Sequence, residues 1–276
     1  MTDRYAVIGN PVAHSKSPLI HARFARDTGQ DIAYEAVFSA LDDFERVVER
    51  FRAAGGRGMN VTLPFKHRAF ALCSVHSERA QHARAVNTLV LEPDAIRGDN
   101  TDGVGLVRDL AVNLGCALSG KRILLMGAGG ASYGVCGPLL DAGPAALVVA
   151  NRTVSKAVEL CEHFRRVYGR AAALLAPAGY DALGGRAFDV VINATSAGLA
   201  GDMPALPGSV FAEGALGYEM LYGRTTPFMT LAARAGAECA DGLGMLVEQA
   251  AESFFVWRGV RPQTRGVIAA LRAGRS

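Results

Sequence analysis

The stretch at residues 123–132, ILLMGAGGAS, decides how the region around it folds. Its apolar run shows no polar alternation, which suits a strand buried on both faces, as a parallel sheet requires. Glycines then close the strand, and small residues follow that suit a helix start. Gly127 permits a tight turn, and Gly129 lets a pyrophosphate approach the backbone. From Gly130 and Ala131 onward a helix N-terminus would present free N–H groups to that anion. Ser132 stands at the third position of G-x-G-x-x-G/A, a variant of the rule. An ordinary glycine-rich β–α turn would carry the same glycines. The weight comes from strand, turn, helix and a second apolar strand, ALVVA at 146–150, all falling within about 30 residues.

The second strand ends at NRTVSK, residues 151–156. An NAD-binding turn places an Asp or Glu here for the ribose 2′-hydroxyl. This chain has Asn151 and Arg152 instead, with Lys156 nearby. No carboxylate repels a 2′-phosphate, and a guanidinium is present to pair with it, so NADP(H) is favoured over NAD(H). A solvated basic loop would explain Arg152 but not the missing acid.

The α/β run continues through FDVVINATSAG and GALGYEMLY, so a dinucleotide-binding domain is expected over 102–239. The residues before it also alternate strand and helix. YAVIGN reads as a strand and turn, PLIHARFARDTG as a helix ended by Gly29, and IAYEAVFS as a strand. LDDFERVVERFRAAGG reads as an amphipathic helix, and GRGMNVTLP as a strand broken by Pro64. AVNTLVLEPDAIRGDNTDG reads as a hairpin. The fold class is therefore α/β, with a mainly parallel sheet in the first domain and a Rossmann-type domain after it. The last forty residues turn helical, with GLGMLVEQAAESFFVWRGV the longest apolar-faced stretch.

Composition narrows the function classes. Half of the 276 residues are hydrophobic and a fifth are charged, which indicates a packed globular protein. A net charge of +3 with interspersed signs gives no nucleic-acid footprint. No apolar run approaches the roughly 18 residues of a membrane span, and the N-terminus lacks a signal-peptide pattern. Five scattered cysteines without C-x-x-C argue against a disulfide framework or a zinc site, so a cytoplasmic protein without metal is expected.

Polar groups gather at the expected strand ends of the first domain. NVTLPFK offers Asn60, Thr62 and Lys66; AVNT offers Asn87 and Thr88; GDNTDG offers Asp99, Asn100, Thr101 and Asp102. Singly, each has an ordinary role: a surface lysine, a turn former, or in Asp102 the cap of a helix at 104–114. Together they would form a pocket for hydroxyl groups, with a Lys–Asp pair able to move a proton. Hydride transfer to a carbonyl needs such a pair, because the oxygen becomes an alkoxide that must be stabilised and protonated. In GNPVAHSKSPLIH, residues 9–21, Ser17 reads as a helix cap with Pro18 at the first helical position. A hydroxyl there, with Ser15 two residues before it, suits a carboxylate at the positive end of a helix dipole.

In order and spacing, GNPVAHSKSP, NVTLPFK, AVNT, GDNTDG, GAGGAS, NRT, NATSAG, TPF and DGLGMLVEQAA resemble the shikimate/quinate dehydrogenase family over essentially the whole chain. The resemblance implies two domains with a cleft between them, the substrate domain formed by residues 1–101 with 240–276. It implies reversible, NADPH-dependent reduction of 3-dehydroshikimate to shikimate, with no nucleic-acid or membrane partner and a monomeric or homodimeric state. Lys66 and Asp102 match the catalytic pair. Ser15, Ser17, Thr62, Asn87, Asp102, Tyr222 and Gln249 match substrate positions. Gly127, Ala128, Gly129, Gly130, Ala131, Asn151, Arg152, Thr153, Lys156, Met220 and Gly242 match cofactor positions. Three positions depart from the family pattern: Tyr133 and Lys156 where arginine is common, and Glu219 where aspartate is usual. Ser17, where quinate-using members often carry threonine, leans toward shikimate. The competing readings are a quinate/shikimate dehydrogenase preferring NAD(H) and a non-catalytic nucleotide-sensing relative, which would be expected to lack the Lys–Asp pair.

Overall fold

The computed structural model describes residues 2–195, 197, 202–203 and 205–274. Ser196 and Gly198 of the NATSAG motif lie outside the described residues. The chain divides into two compact units, Met1–Gly105 with Leu246–Ser276, and Leu106–Met245.

The first unit runs β1 (Asp3–Gly9), α1 (Ser17–Thr28), β2 (Ile32–Phe38), α2 (Phe44–Ala53), β3 (Gly56–Val61), α3 (Lys66–Leu72), β4 (Val75–His76), α4 (Glu78–Ala83), β5 (Thr88–Leu91) and β6 (Ile96–Asp99). The strands form one six-stranded sheet in the order β2-β1-β3-β5-β6-β4. β1 pairs in parallel with β2 and β3, and β4 with β6, while β5 is antiparallel to both β3 and β6. The β5–β6 hairpin is the one read from AVNTLVLEPDAIRGD. One face is covered by α2 and α3, where Phe44, Val48 and Phe65 pack on Ile8, Met59 and Leu89. A second cluster joins Ile20 and Phe24 of α1 to Val247, Ala250 and Phe254 late in the chain.

α5 (Asp102–Arg108) begins in the first unit and leads into a π-helical turn over Asp109–Asn113 in the second. There follow β7 (Arg122–Met126), α6 (Gly130–Asp141), β8 (Ala146–Ala150), α7 (Val154–Tyr168), β9 (Leu175–Ala178), β10 (Phe188–Asn193), β11 (Phe211–Glu219), α8 (Pro227–Arg234) and β12 (Glu238–Asp241). α9 (Leu243–Arg258) returns the chain to the first unit, which α10 (Arg265–Arg272) completes. The sheet of the second unit is parallel throughout, in the order β12-β11-β10-β7-β8-β9. That is the doubly wound order, reversing between β7 and β10, the place where such sheets bind ligands. Buried Ile123, Leu124, Leu125 and Met126 account for the unbroken apolar run of the sequence.

The units exchange a few residues beyond the sequence-based boundaries of 101/102 and 239/240. Asp102 is bonded within the first unit, to Lys66 and Asn87, whereas Asp109 accepts the Tyr218 hydroxyl of the second at 2.7 Å. Two capping expectations are corrected. Lys16, not Ser17, is the N-cap of α1, and the Ser15 hydroxyl accepts the Ser17 N–H at 3.2 Å. Asp102 is the first residue of α5 rather than its cap, and the Asn100 side chain accepts its N–H at 3.2 Å. In both turns the accepting side chain, Ser15 or Asn100, sits two residues earlier, which leaves Ser17 and Asp102 free of capping duty.

His21 of α1 is wholly buried, lies stacked on Tyr34 with ring centroids 4.2 Å apart, and has no hydrogen-bond partner on either ring nitrogen. Burial pushes its pKa down to about 3, with Asn60 acting weakly the other way. The imidazole therefore stays neutral in the folded chain while the unfolded chain protonates it below about pH 6.5, so stability falls with pH at about 1.4 kcal/mol per unit. At pH 5 the loss attributable to His21 is about 2 kcal/mol. Urea unfolding between pH 7 and 5 checks this: His21→Phe should flatten the slope by close to one proton. An unchanged slope would contradict it.

Candidate active site

Four loops meet at one edge of the first sheet because the register of its strands puts them there. β1 and β3 run side by side with Val7 opposite Asn60 and Ile8 opposite Val61, so the turns after them emerge together. These carry Ser15–Ser17 and Thr62–Lys66. β5 is antiparallel, so it begins where β3 ends, with Asn60 opposite Thr88, and β6 ends beside it with Asp99 opposite Thr88. Asn87 and the Asn100–Asp102 turn thus join the same edge.

Lys66 is the first residue of α3 and its Nζ donates to Asp102 Oδ2 at 2.6 Å. The other carboxylate oxygen, Oδ1, accepts from Asn87 Nδ2 at 2.9 Å. The orientation of the Asn87 amide is fixed from the opposite side. Its Oδ1 accepts from the Thr101 N–H and the Thr88 hydroxyl, both at 2.9 Å, so only its NH₂ can face Asp102. Asn60 Nδ2 in turn donates to Thr88 Oγ1 at 3.2 Å and to Ser253 Oγ at 2.9 Å. Tyr34 donates its hydroxyl to Asn60 Oδ1 at 2.8 Å, and Ser17 lies beside that hydroxyl. Burial pushes the Tyr34 phenol well up, keeping it a donor.

Of the residues read from sequence, Lys66, Asp102, Asn87 and Gln249 are directly linked: Gln249 Oε1 accepts from Asn87 Nδ2 at 3.3 Å. Ser15 and Ser17 are linked to each other, and Ser17 reaches the cluster through Tyr34 and Asn60. Thr62 sits half-buried at the end of β3, its methyl against Gly9, where a Cβ would collide with it. Two members carried no signal in the motifs. Ser253 lies one helical turn beyond Gln249, a spacing that places both on one face of α9. Tyr34 belongs to a strand whose alternation says only that it is partly buried.

The second unit holds the nucleotide turn. Gly127 has φ +102, and a Cβ there would press on Ala194 and Thr195. Ala128 is half-buried, and around Gly129 there is open space. Gly129, the N-cap of α6, has no side chain to accept from the first-turn N–H groups, which begin at Gly130 and Ala131. α7 opens the same way: Thr153 is its N-cap with no side-chain bond, next to exposed Arg152 and Lys156. Asn151 closes this turn by donating to the Thr153 carbonyl at 2.8 Å. Two uncapped helix N-termini with basic residues at the second fit a pyrophosphate and a further phosphate. Tyr133, where the family pattern has arginine, packs against His163 and Phe164. Met220 follows β11, and Gly242 lies so close to it that a Cβ would overlap the Met220 carbonyl. Tyr222, two residues on, is half-buried, and burial raises its phenol. Among the described residues no cluster of His, Cys, Asp and Glu suits a metal ion, and no helix is long and apolar enough to cross a membrane.

A dinucleotide-type sheet and a Lys–Asp pair at the edge of a second sheet define an oxidoreductase. Residues 7–89 match the shikimate dehydrogenase substrate binding domain, residues 109–200 the shikimate/quinate 5-dehydrogenase family, and residues 242–272 the shikimate 5′-dehydrogenase C-terminal domain. The chain is 58% identical to shikimate dehydrogenase (NADP(+)) of Nitrosospira multiformis, over 99% of this chain and 98% of that one. Its fold superposes on an Ael1 enzyme from Pseudomonas putida with TM-score 0.93 at 52% identity, covering 98% of both chains. It superposes on shikimate 5-dehydrogenase from Thermus thermophilus, in complex with NADP(H) and shikimate, with TM-score 0.86 at 33% identity, covering 99% of both. The chain belongs to the shikimate dehydrogenase family.

Proposed function

We infer that the chain catalyses the reversible, NADPH-dependent reduction of 3-dehydroshikimate to shikimate. The observation that carries this is the Lys66–Asp102 pair at 2.6 Å, held by an amide whose orientation is fixed. When bound, NADPH supplies the hydride that reaches the substrate carbonyl carbon. Lys66 Nζ stabilises the alkoxide that then develops on oxygen and delivers its proton; in the oxidative direction it removes that proton. Asp102 aims Lys66 and accepts from the substrate hydroxyl. Asn87 and Gln249 present further donors and acceptors to the ring hydroxyls, and Thr62, just after β3, adds a hydroxyl. Ser15 and Ser17 take the carboxylate, and Tyr222 contributes a phenolic donor. The relatives described as NADP(+) enzymes, and the shikimate-bound member, support this reading.

The cofactor seat comprises the Gly127–Ala131 turn for the pyrophosphate, and Asn151, Arg152, Thr153 and Lys156 for the 2′-phosphate, with Met220 and Gly242 toward the other end. The protein acts as a soluble, cytoplasmic monomer or homodimer. All five cysteines are free thiols, as a reducing compartment would keep them.

Turnover of shikimate and quinate, each with NADP⁺ and NAD⁺, tests substrate and cofactor together. Shikimate with NADP⁺ should give the highest kcat/KM, and NAD⁺ with quinate leading would overturn the reading. Arg152→Ala should cost NADP⁺ about tenfold to a hundredfold in affinity, the worth of a charge-assisted contact, and leave NAD⁺ nearly unchanged. Equal losses for both would remove Arg152 from the 2′-phosphate site.

A further inference from the structure

Glu219, at the C-terminal end of β11, is fully buried, and three donors converge on it. Asn193 Nδ2 and the Thr226 hydroxyl donate to Oε2 at 2.8 and 2.7 Å, and the Leu221 N–H donates to Oε1 at 3.1 Å. Each donor is fastened elsewhere. Asn193 Oδ1 accepts the N–H and hydroxyl of Thr195 at 3.1 and 2.7 Å. Thr226 caps α8 by accepting the Met229 N–H at 3.3 Å. Leu221 offers its carbonyl to the Gly242 N–H at 3.0 Å, and Met220 donates its N–H to the Asn193 carbonyl at 3.1 Å. One carboxylate thus joins the turn after β10, the loop after β11 and the start of α8.

The position of this clamp gives it a task. In a sheet ordered β8-β7-β10-β11, the turn after β7 takes the pyrophosphate and the end of β8 takes the adenosine ribose. The remaining half of a dinucleotide must then extend over the ends of β10 and β11. Those are the segments Glu219 ties together, and Ala194 and Thr195 of the first already lie against Gly127.

We propose that Glu219 is a positioning residue for the nicotinamide half of NADP(H), holding Asn193–Thr195 at the end of β10 and Met220–Leu221 after β11 in place independently of the 2′-phosphate end. The proposal rests on the cofactor seat described above. Burying a charged acceptor is costly unless it meets several donors at once, and here it does. Because all three partners are donors, an amide cannot replace the carboxylate: its NH₂ must face one of them.

Binding of NADP⁺ and of 2′,5′-ADP, which carries the adenosine half alone, tests this. Glu219→Gln should weaken NADP⁺ about tenfold or more while 2′,5′-ADP stays within about twofold. Retained 2′,5′-ADP binding also shows that the variant is folded. Thr226→Val, which deletes one donor and keeps the shape, should shift NADP⁺ in the same direction by a smaller factor. Equal weakening of both ligands, or of neither, in both variants would overturn the proposal. Arg152→Ala separates it from the cofactor-seat reading: 2′,5′-ADP binding unaffected by that change overturns the seat, whereas the ratio for Glu219→Gln judges the clamp alone.

Discussion

Lys66→Ala is expected to lower kcat for shikimate oxidation by about 10²- to 10⁴-fold, the usual worth of a positioned proton-transfer group. The size follows from how little else at the site can take the proton. Asp102 Oδ1 is occupied by Asn87, and Asn87, Thr88 and Thr101 are neutral groups bonded to one another. Lys66 is also rigidly placed, as the first residue of a helix whose following turn is buried through Ala69. KM should change only a few-fold, because the lysine interacts most strongly with the charge that develops in the transition state. Lys66→Arg should recover little, since a guanidinium keeps its proton. Steady-state kinetics in the oxidative direction provide the check, and a fall in kcat of less than tenfold would remove Lys66 from the proton-transfer role.

Gly242→Ala is expected to destabilise the protein by about 3 kcal/mol, at the upper end of what overpacking costs. A Cβ at this position would overlap the carbonyl oxygen, carbonyl carbon and Cα of Met220. All three are backbone atoms, so no rotamer change relieves the clash. The Gly242 N–H is bonded to Leu221, and the adjoining strands are in register with Glu219 opposite Asp241, so the loop cannot slide away without breaking that ladder. Urea unfolding of the variant measures the loss, and NADP⁺ affinity should fall with it because Met220 is displaced. A loss under about 1 kcal/mol would show that the loop yields where the geometry says it is fixed.

The nucleotide-binding half was legible because its signals are local. ILLM is buried on both faces, Gly127 needs its positive φ, and the missing acid near Arg152 lies where a fixed topology puts it. The short elements were not. β4 has two residues and α4 six, too few for any periodicity to show. β9 contains Pro177, which a strand accepts only at an edge, and β9 is the edge. The Lys66–Asp102 pair could be named from its motif, but not the bonds that hold it. Tyr34 bonds to Asn60, Ser253 to Asn60, Thr88 and Thr101, and Glu219 accepts from positions 193 and 226. Such bonds exist only once distant strands lie side by side, and no spacing rule anticipates them.

The chain of bonds from Tyr34 through Asn60 and Thr88 to Asn87 contains no group that changes charge near neutrality. Bonds between neutral groups are little affected by ionic strength, which screens charges but not amides. The bonds that orient Asn87 toward Asp102 are therefore set by packing and amide geometry rather than by charge. The acid-sensitive point of the fold is His21, which stacks on Tyr34 at the far end of this chain of bonds, so loss of stability in acid starts at the end remote from Lys66 and Asp102.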